Sequence, residues 1–250
     1  MRCCMARNPK QYTERTYRNR ILKNNLSSYN VTIRETDLFI SSNCNLQTLA
    51  YRFALNRRSS IENFIKLHPS FLTSLSPVPF DDFAPEIVKD MIAAAIKANV
   101  GPMAAVAGAI AEHVGRDLLP YSQNVIVENG GDIFINSESD LHVGIFSGMS
   151  PFSDRLSIFV KADETPIGIC TSSGTVGHSF SFGNADAVCV KAKSVSLADA
   201  AATAVANKVK SKKDIAYALE EGMKIESVQG IVIVIADQFG VIGNIELSER

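Results

Sequence analysis

Short apolar runs separated by polar turns occupy most of the second half of the chain. Near the beginning, Val31–Ser41 alternates apolar and polar positions, as a half-buried strand does. The connector Ser137–Asp140 is typical of a hairpin turn, and the segment Asp237–Gly240 predicts a second one. Further strands are predicted at Asn124–Val127, Asp132–Asn136, Leu141–Phe146, Leu156–Ala162, Ile167–Cys170, Ala187–Ala192, Val228–Ala236 and Gly240–Glu246.

Apolar positions with helical spacing predict helices between these strands. Leu46–Leu67 predicts one or two helices with a break near Ser59–Ser60, and the proline-rich segment Pro69–Pro85 predicts a loop. Because strands and helices alternate without a strict β-α-β order, the pattern favours an α+β fold over a doubly wound parallel sheet. The remaining predicted helices run from Pro85 to Ala98, from Met103 to Val114, from Ser196 to Lys210 and from Asp214 to Glu221.

Composition limits the class of protein. The chain has 250 residues, 46% of them hydrophobic, which is enough for one large core. A net charge of −1 argues against binding to nucleic acid or to an anionic membrane. Five cysteines without paired CxxC spacing argue against a disulfide framework and a zinc knuckle, and favour a reducing compartment. Since no apolar run reaches the roughly 20 residues that span a bilayer, we expect a cytoplasmic protein.

Positive charge is concentrated at the beginning of the chain. Seven Lys and Arg residues lie between Arg2 and Lys23, and only Glu14 opposes them. Residues 1–24 therefore predict a basic arm that precedes a single domain of residues 25–250. Such an arm is either solvated or binds an anion, an RNA or a protein partner.

The first candidate for chemistry is Glu128–Asp132, which lies between two predicted strands. Its paired glycines, Gly130 and Gly131, predict either an ordinary hairpin turn or a place where the backbone approaches a ligand. In the second case Asp132 lies beside exposed amide groups. Both interpretations stay open at the level of the residues.

The second candidate follows the strand that ends at Cys170. Small hydroxyl residues and glycine leave N–H and O–H donors available, and these donors bind phosphate anions. An ordinary loop is the alternative. His178 is a candidate proton carrier near neutral pH. Cys170 is either an inert buried thiol or a thiolate whose pKa is lowered by the following amides. The donor residues are Thr171, Ser172, Ser173 and Gly174.

The third candidate is the pair Asp199 and Thr203. Residues four apart on a helix face the same way, so the carboxylate and hydroxyl oxygens project together. With backbone carbonyls and waters, they form a candidate magnesium site. Alternatively, Asp199 caps its own helix behind Ser196 as the N-cap, and Thr203 bonds back to a carbonyl.

In this order the segments resemble the ApbE family of flavin transferases, which use FAD and magnesium to attach FMN to a threonine of a target protein. The similarity covers about residues 100–210. It implies an α+β, T-fold-related domain of mixed β-sheets packed with helices, FAD or FMN as cofactor, and magnesium at Asp199 and Thr203. The matching segments are Ala104–Ala111, Gly130–Asp132, Thr171–Gly174 and Asp199–Thr203.

Longer strings resemble the uncharacterised ApbE-like family UPF0280, found mainly in anaerobic archaea and bacteria. These strings are Val100–Gly108, Glu128–Asp132 and Cys170–Ser179. Some members of that family are linked to sulfur assimilation and homocysteine formation. The resemblance therefore adds a second hypothesis, a sulfur relay through Cys170.

The chain also departs from the transferases. Their lysine, which helps to hold the flavin nucleotide, has no counterpart in Ala104–Gly108, and His178 lies closer to the Thr-Ser-Gly turn than their histidine does. These departures argue against FMN transfer. We therefore expect a protein that binds a small phosphate-bearing ligand, with a flavin nucleotide as candidate, together with magnesium. A sulfur relay and a non-catalytic accessory subunit remain alternatives, and a homo-oligomer is compatible with each of them.

Overall fold

The computed structural model describes residues 26–153, 155–174 and 183–249. Their strands are β1 (Ser27–Ile33), β2 (Thr36–Ser42), β3 (Val125–Asn129), β4 (Asp132–Asn136), β5 (Leu141–Gly144), β6 (Leu156–Val160), β7 (Ile167–Ser172), β8 (Ala187–Ala192), β9 (Val228–Ile235), β10 (Gln238–Gly243) and β11 (Glu246–Glu249). Eight of them form a large sheet in the order β1-β2-β3-β4-β7-β8-β9-β10. The other three form a small sheet in the order β11-β6-β5. Neighbouring strands in both sheets are antiparallel.

The α-helices of the described residues lie between β2 and β3 and between β8 and β9. They are α1 (Gln47–Leu67), α2 (Ser70–Thr73), α3 (Glu86–Ala98), α4 (Val106–Leu118), α5 (Val195–Ala206) and α6 (Ile215–Met223). Within the described part of the chain, no single helix is long and apolar enough to cross a membrane. Only the bent combination of Glu86–Ala98 with Pro102–Tyr121, at an angle of 108°, meets those criteria of length and composition.

The central strands of the large sheet, β3, β4, β7, β8 and β9, are buried on both faces. Alternate side chains, such as Val127 and Phe134, join the core under the helices. Their neighbours, such as Ile126 and Ile133, join a second core against the small sheet. Because successive strand residues point to opposite faces, the same strands supply both cores. Three layers result, and the predicted α+β class is confirmed.

Two segments near the beginning differ from the prediction. Val31–Ser41 contains two strands, because the chain reverses between Ile33 and Thr36, where Arg34 has a φ of 53°. A two-residue turn leaves little trace in a pattern of alternating residues. Helix α1 is continuous through Ser59–Ser60, since the Ser60 hydroxyl donates to the Asn56 carbonyl (3.0 Å) and needs no break in the helix.

The predicted hairpin at Ser137–Asp140 is wrong. Strand β4 pairs with β3 and β7 in the large sheet, whereas β5 pairs with β6 in the small one. The connector therefore carries the chain from one sheet to the other. Similarly, the single strand predicted at Gly240–Glu246 is divided between β10 and β11, one in each sheet. Turn-forming residues show where a strand ends, but they do not determine which strand comes next to it.

Candidate functional site at the β3–β4 hairpin

The residues between β3 and β4 form a two-residue hairpin. Asn129 and Asp132 are paired across it, and Gly130 and Gly131 have φ values of 70° and 110°, which glycine adopts without strain. The Glu128 carboxylate accepts the Gly131 N–H at 3.0 Å. The hairpin interpretation is thus confirmed. The turn also lies close to β7, since a Cβ on Gly131 would be 3.6 Å from the Thr171 carbonyl oxygen.

Asp132 lies opposite Cys170 in the pairing of β4 with β7. Both residues are buried on the helix side of the large sheet. The Cys170 thiol is a hydrogen-bond partner of the Asp132 carboxyl, and it lies 3.4 Å from the Val195 carbonyl oxygen. The Thr171 backbone N–H also donates to Asp132. The sheet register therefore places a carboxyl and a thiol side by side under the helices.

Burial dominates the protonation of this pair. It raises the pKa of Asp132 well above the ordinary value, and the charges of Asp199 and Glu128 raise it further. Burial likewise raises the pKa of the Cys170 thiol, followed by the charges of Asp132 and Asp199. The expectation that nearby amides lower the pKa of Cys170 is wrong, because neighbouring carboxylates and burial both disfavour the thiolate.

Asp199 approaches Asp132 and Cys170 from α5, and these three residues form the carboxylate cluster. Its Oδ2 accepts the Gly108 N–H at 2.8 Å, and the Ala107 N–H donates to it as well. Both amides belong to the first turn of α4, whose N–H groups lack partners within the helix. Although the residue is partly exposed, protein atoms surround the carboxyl. Burial therefore raises its pKa to about 7 despite the two amide donors.

A second carboxylate completes a reciprocal arrangement between the two helices. Glu112 of α4 accepts the N–H groups of Val195 (2.8 Å) and Ser196 (3.1 Å) at the beginning of α5. The N-cap of α5 is Ser194, whose hydroxyl accepts the Leu197 N–H. The predicted cap at Ser196 is therefore wrong, since the cap lies two residues earlier and the helix begins at Val195. Each helix thus receives at its N-terminus a carboxylate from the other, and local sequence contains no signal for either contact.

The close crossing of α4 and α5 depends on Gly108. A Cβ at this position would lie 2.6 Å from the Val195 carbonyl oxygen and 2.8 Å from the Asp199 Cβ. The absence of a side chain at Gly108 therefore lets α4 pack directly against α5. That packing brings Asp199 to the first turn of α4.

Thr203 lies one turn after Asp199 on α5 and is half-buried. In the part of the chain that the structure describes, no three His, Cys, Asp or Glu side chains lie close enough together to hold a metal ion. A cation at Asp199 and Thr203 would therefore need oxygens from the backbone, from water or from a ligand.

The predicted donor segment after Cys170 is divided between the two faces of the sheet. Thr171 points toward the small sheet, where its Oγ1 lies 3.2 Å from the Cys189 sulfur. Ser172 lies on the helix side and is 6% exposed. Among the described residues its hydroxyl has no hydrogen-bond partner. Ser173 is half-buried, and the Gly174 N–H donates to the Ala185 carbonyl at 2.9 Å. His178 lies outside the described residues.

A cavity of about 600 Å³ adjoins the cluster. Ala107 and Asn129 contribute to its wall. The Asn129 side-chain amide, which sequence reasoning missed, donates to the Ala107 carbonyl at 3.0 Å and so fastens the hairpin to α4. The cavity and the carboxylate cluster therefore share one stretch of backbone.

Comparisons with known proteins agree with this description of the fold. The family model described as AbpE bacteria matches residues 18–240. A UPF0280 protein of Methanococcus vannielii is 42% identical over 226 residues, which cover 88% of this chain and 92% of that protein. A UPF0280 protein of Methanocaldococcus jannaschii is 44% identical over 201 residues, which cover 78% and 82%.

Two solved structures share the fold. The flavinyl transferase ApbE of Pseudomonas stutzeri superimposes with a TM-score of 0.54 at 11% identity, covering 87% of this chain and 94% of that one. The flavin transferase ApbE of Vibrio cholerae gives a TM-score of 0.51 at 14% identity, covering 87% and 96%. With the family model and the curated relatives, these findings show that the chain belongs to the ApbE-like family of UPF0280 proteins.

Proposed function

We propose that the protein binds a small phosphate-bearing ligand, with a flavin nucleotide as the first candidate, together with a magnesium ion held at Asp199 and Thr203. The observation that supports this most is the buried pair Asp132 and Asp199. Burial raises the pKa of each carboxyl, and the charge of Asp199 raises that of Asp132 further. A divalent cation relieves such repulsion, because it replaces the protons that the buried carboxyls otherwise retain.

The donor set fits a hard cation. Asp132, Asp199 and Thr203 offer oxygen atoms, and magnesium prefers oxygen ligands while keeping several waters or ligand phosphates. Bound magnesium would offset the negative charge of those phosphates. The buried hydroxyl of Ser172, on the same face of the sheet, is an additional donor or acceptor for the ligand.

Two further observations bear on the reaction. The shared fold with flavin transferases supports a flavin nucleotide as ligand, whereas the absence of a lysine from Ala104–Gly108 argues against FMN transfer. A sulfur relay through Cys170 receives no support, because the thiol is fully buried and its pKa is raised. Binding of the ligand, without transfer of FMN, is therefore the function that we propose.

Titration of the purified protein with FAD, followed by quenching of the flavin fluorescence, tests this proposal. We expect tighter binding in magnesium than in EDTA. Asp199→Asn should weaken binding in magnesium by at least about tenfold, or ~1.4 kcal/mol. Asp82→Asn, a change of the same chemistry at an exposed residue, is the control. Equal binding by the wild type with and without magnesium would overturn the proposal.

A further inference from the structure

We propose that two copies of this chain pair through strand β10, edge to edge and antiparallel, so that their two large sheets continue into one another. This inference is independent of the proposed function, because β10 contributes no residue to the carboxylate cluster or to the cavity beside it.

Strand β10 is one of the two edges of the large sheet, because it pairs with β9 and with no other strand that the structure describes. A two-residue turn connects the two strands, so that Ile235 and Gln238 form the first hydrogen-bonded pair. Such pairs alternate along an antiparallel ladder. The N–H and C=O groups of Phe239 and Val241 therefore point away from β9, and no hydrogen-bond partner for them lies among the described residues.

The side chains of β10 do not oppose association. The strand has no charged residue and no proline, although natural sheets use both to prevent pairing at an edge. Phe239 and Val241 are 43% and 38% exposed on the side of the small sheet. On the other side α6 covers the strand, since a Cβ on Gly240 would lie 2.5 Å from the Ile215 side chain. The accessible part of β10 is therefore its backbone edge with two apolar side chains beside it.

The other edges of the described sheets are less suited to pairing with a second copy. On β1 the Asn30 carbonyl accepts the Gln47 side-chain amide at 2.8 Å, so a side chain of α1 occupies that edge. Strand β11 has Glu246 and Glu249 at its ends, and antiparallel self-pairing would place these carboxylates opposite each other. Strand β5 has only four residues. Strand β10 thus offers the longest edge that is both uncharged and uncovered.

One register of self-pairing satisfies the outward backbone groups of β10. An antiparallel pair centred on Gly240 places Phe239 of each copy opposite Val241 of the other, and each residue donates to and accepts from its partner. The aromatic and β-branched side chains then form a favourable cross-strand pair. The same register places Asp237 opposite Gly243, so that no like charges meet. Because the strand is complementary to itself in this way, we assign a second copy as its partner.

Sedimentation velocity over a range of protein concentrations tests the inference. A standard interface has about 20–30 residues on each side, and β10 has six. The wild type should therefore change from monomer to dimer as its concentration rises, with EDTA present throughout. Val241→Pro removes an outward N–H but no bond to β9, and should weaken dimerisation by at least about tenfold. Val241→Thr keeps the N–H and the β-branched shape, and as the matched control it should dimerise within about twofold of the wild type.

A second variant and a second measurement decide the case if the proline variant does not fold. Val241→Lys keeps the N–H but puts a charge into the contact, and it should also weaken dimerisation by at least about tenfold. Amide hydrogen exchange of Phe239 and Val241, followed by NMR, should become slower in the wild type as the concentration rises. A wild type that stays monomeric up to millimolar concentration would overturn the proposal. So would a dimer that persists unchanged in a folded Val241→Pro or Val241→Lys variant, or one that leaves the exchange of these two amides unchanged.

Discussion

Asp199→Asn should stabilise the ligand-free protein at alkaline pH, although it removes the proposed magnesium ligand. In the folded chain the pKa of Asp199 is about 7, compared with an ordinary value of 3.8. The folded protein therefore retains a proton that the unfolded chain releases. The stability that this proton contributes is fully present below pH 3.8 and is lost as the pH rises through about 7. Above that pH the wild type has a buried, ionised carboxylate, whereas the variant has a neutral amide.

The size of the effect follows from the same two values. A difference of roughly three pH units, at about 1.4 kcal/mol each, gives an upper limit of about 4 kcal/mol. The N–H groups of Gly108 and Ala107 are already included in the pKa of about 7, because they lower it while burial raises it. Asp199 is partly exposed, so water screens part of the difference and reduces the net gain to about 1–2 kcal/mol. For a chain of this length, that corresponds to an increase in Tm of about 3–6 °C.

Thermal unfolding followed by circular dichroism, at about pH 5 and about pH 8.5, measures this effect. The Tm of Asp199→Asn should exceed that of the wild type at the higher pH, and the difference should shrink at the lower pH, with EDTA present throughout. Asp82→Asn, which alters an exposed carboxylate, should have the same Tm as the wild type at both pH values. A lower Tm for Asp199→Asn at the higher pH would show that the contacts with the α4 amides outweigh burial, and the reasoning from pKa would be refuted.

Three further outcomes are expected. Glu112→Ala leaves the buried N–H groups of Val195 and Ser196 without their acceptor. In urea denaturation it should therefore lower the free energy of unfolding by about 3 kcal/mol. The control Glu220→Ala, at an exposed residue, should change the free energy of unfolding by less than about 0.5 kcal/mol. Gly108→Val should lower the free energy of unfolding by about 2–3 kcal/mol in the same assay, because the added Cβ would clash with the Val195 carbonyl oxygen. An unchanged urea midpoint would contradict the close crossing of α4 and α5. Iodoacetamide should label exposed Cys44 in the native protein but should not label Cys170 or Cys189, because both thiols are buried. Burial also raises the pKa of each thiol, that of Cys189 to about 11, so that little reactive thiolate is present. Peptide mass spectrometry measures this labelling, and equal labelling of Cys170 and Cys44 would show that the thiol is accessible.

The predicted bounds agree best with the structure for strands that consist of one apolar run between turn-forming residues. Strands β4 and β8 have the predicted bounds, because apolar runs of that length end at turn-forming residues. The prediction fails where a turn preserves the alternation, as between Ile33 and Thr36, or where the next strand pairs elsewhere, as after Asn136. Local pattern determines the type of element, and pairing depends on residues far away in the chain.

Local sequence pattern was enough to predict the α+β class and the spacing that puts Asp199 and Thr203 on one side of a helix, and it offered the hairpin before Asp132 as one of two interpretations. These features depend on neighbours a few residues apart, where backbone periodicity acts. Long-range packing, by contrast, brings Asp132, Cys170 and Asp199 together, points Thr171 to the opposite face, and places Glu112 at the beginning of α5. Sheet register and helix crossing position these groups, and a register shift of one residue would reverse every face.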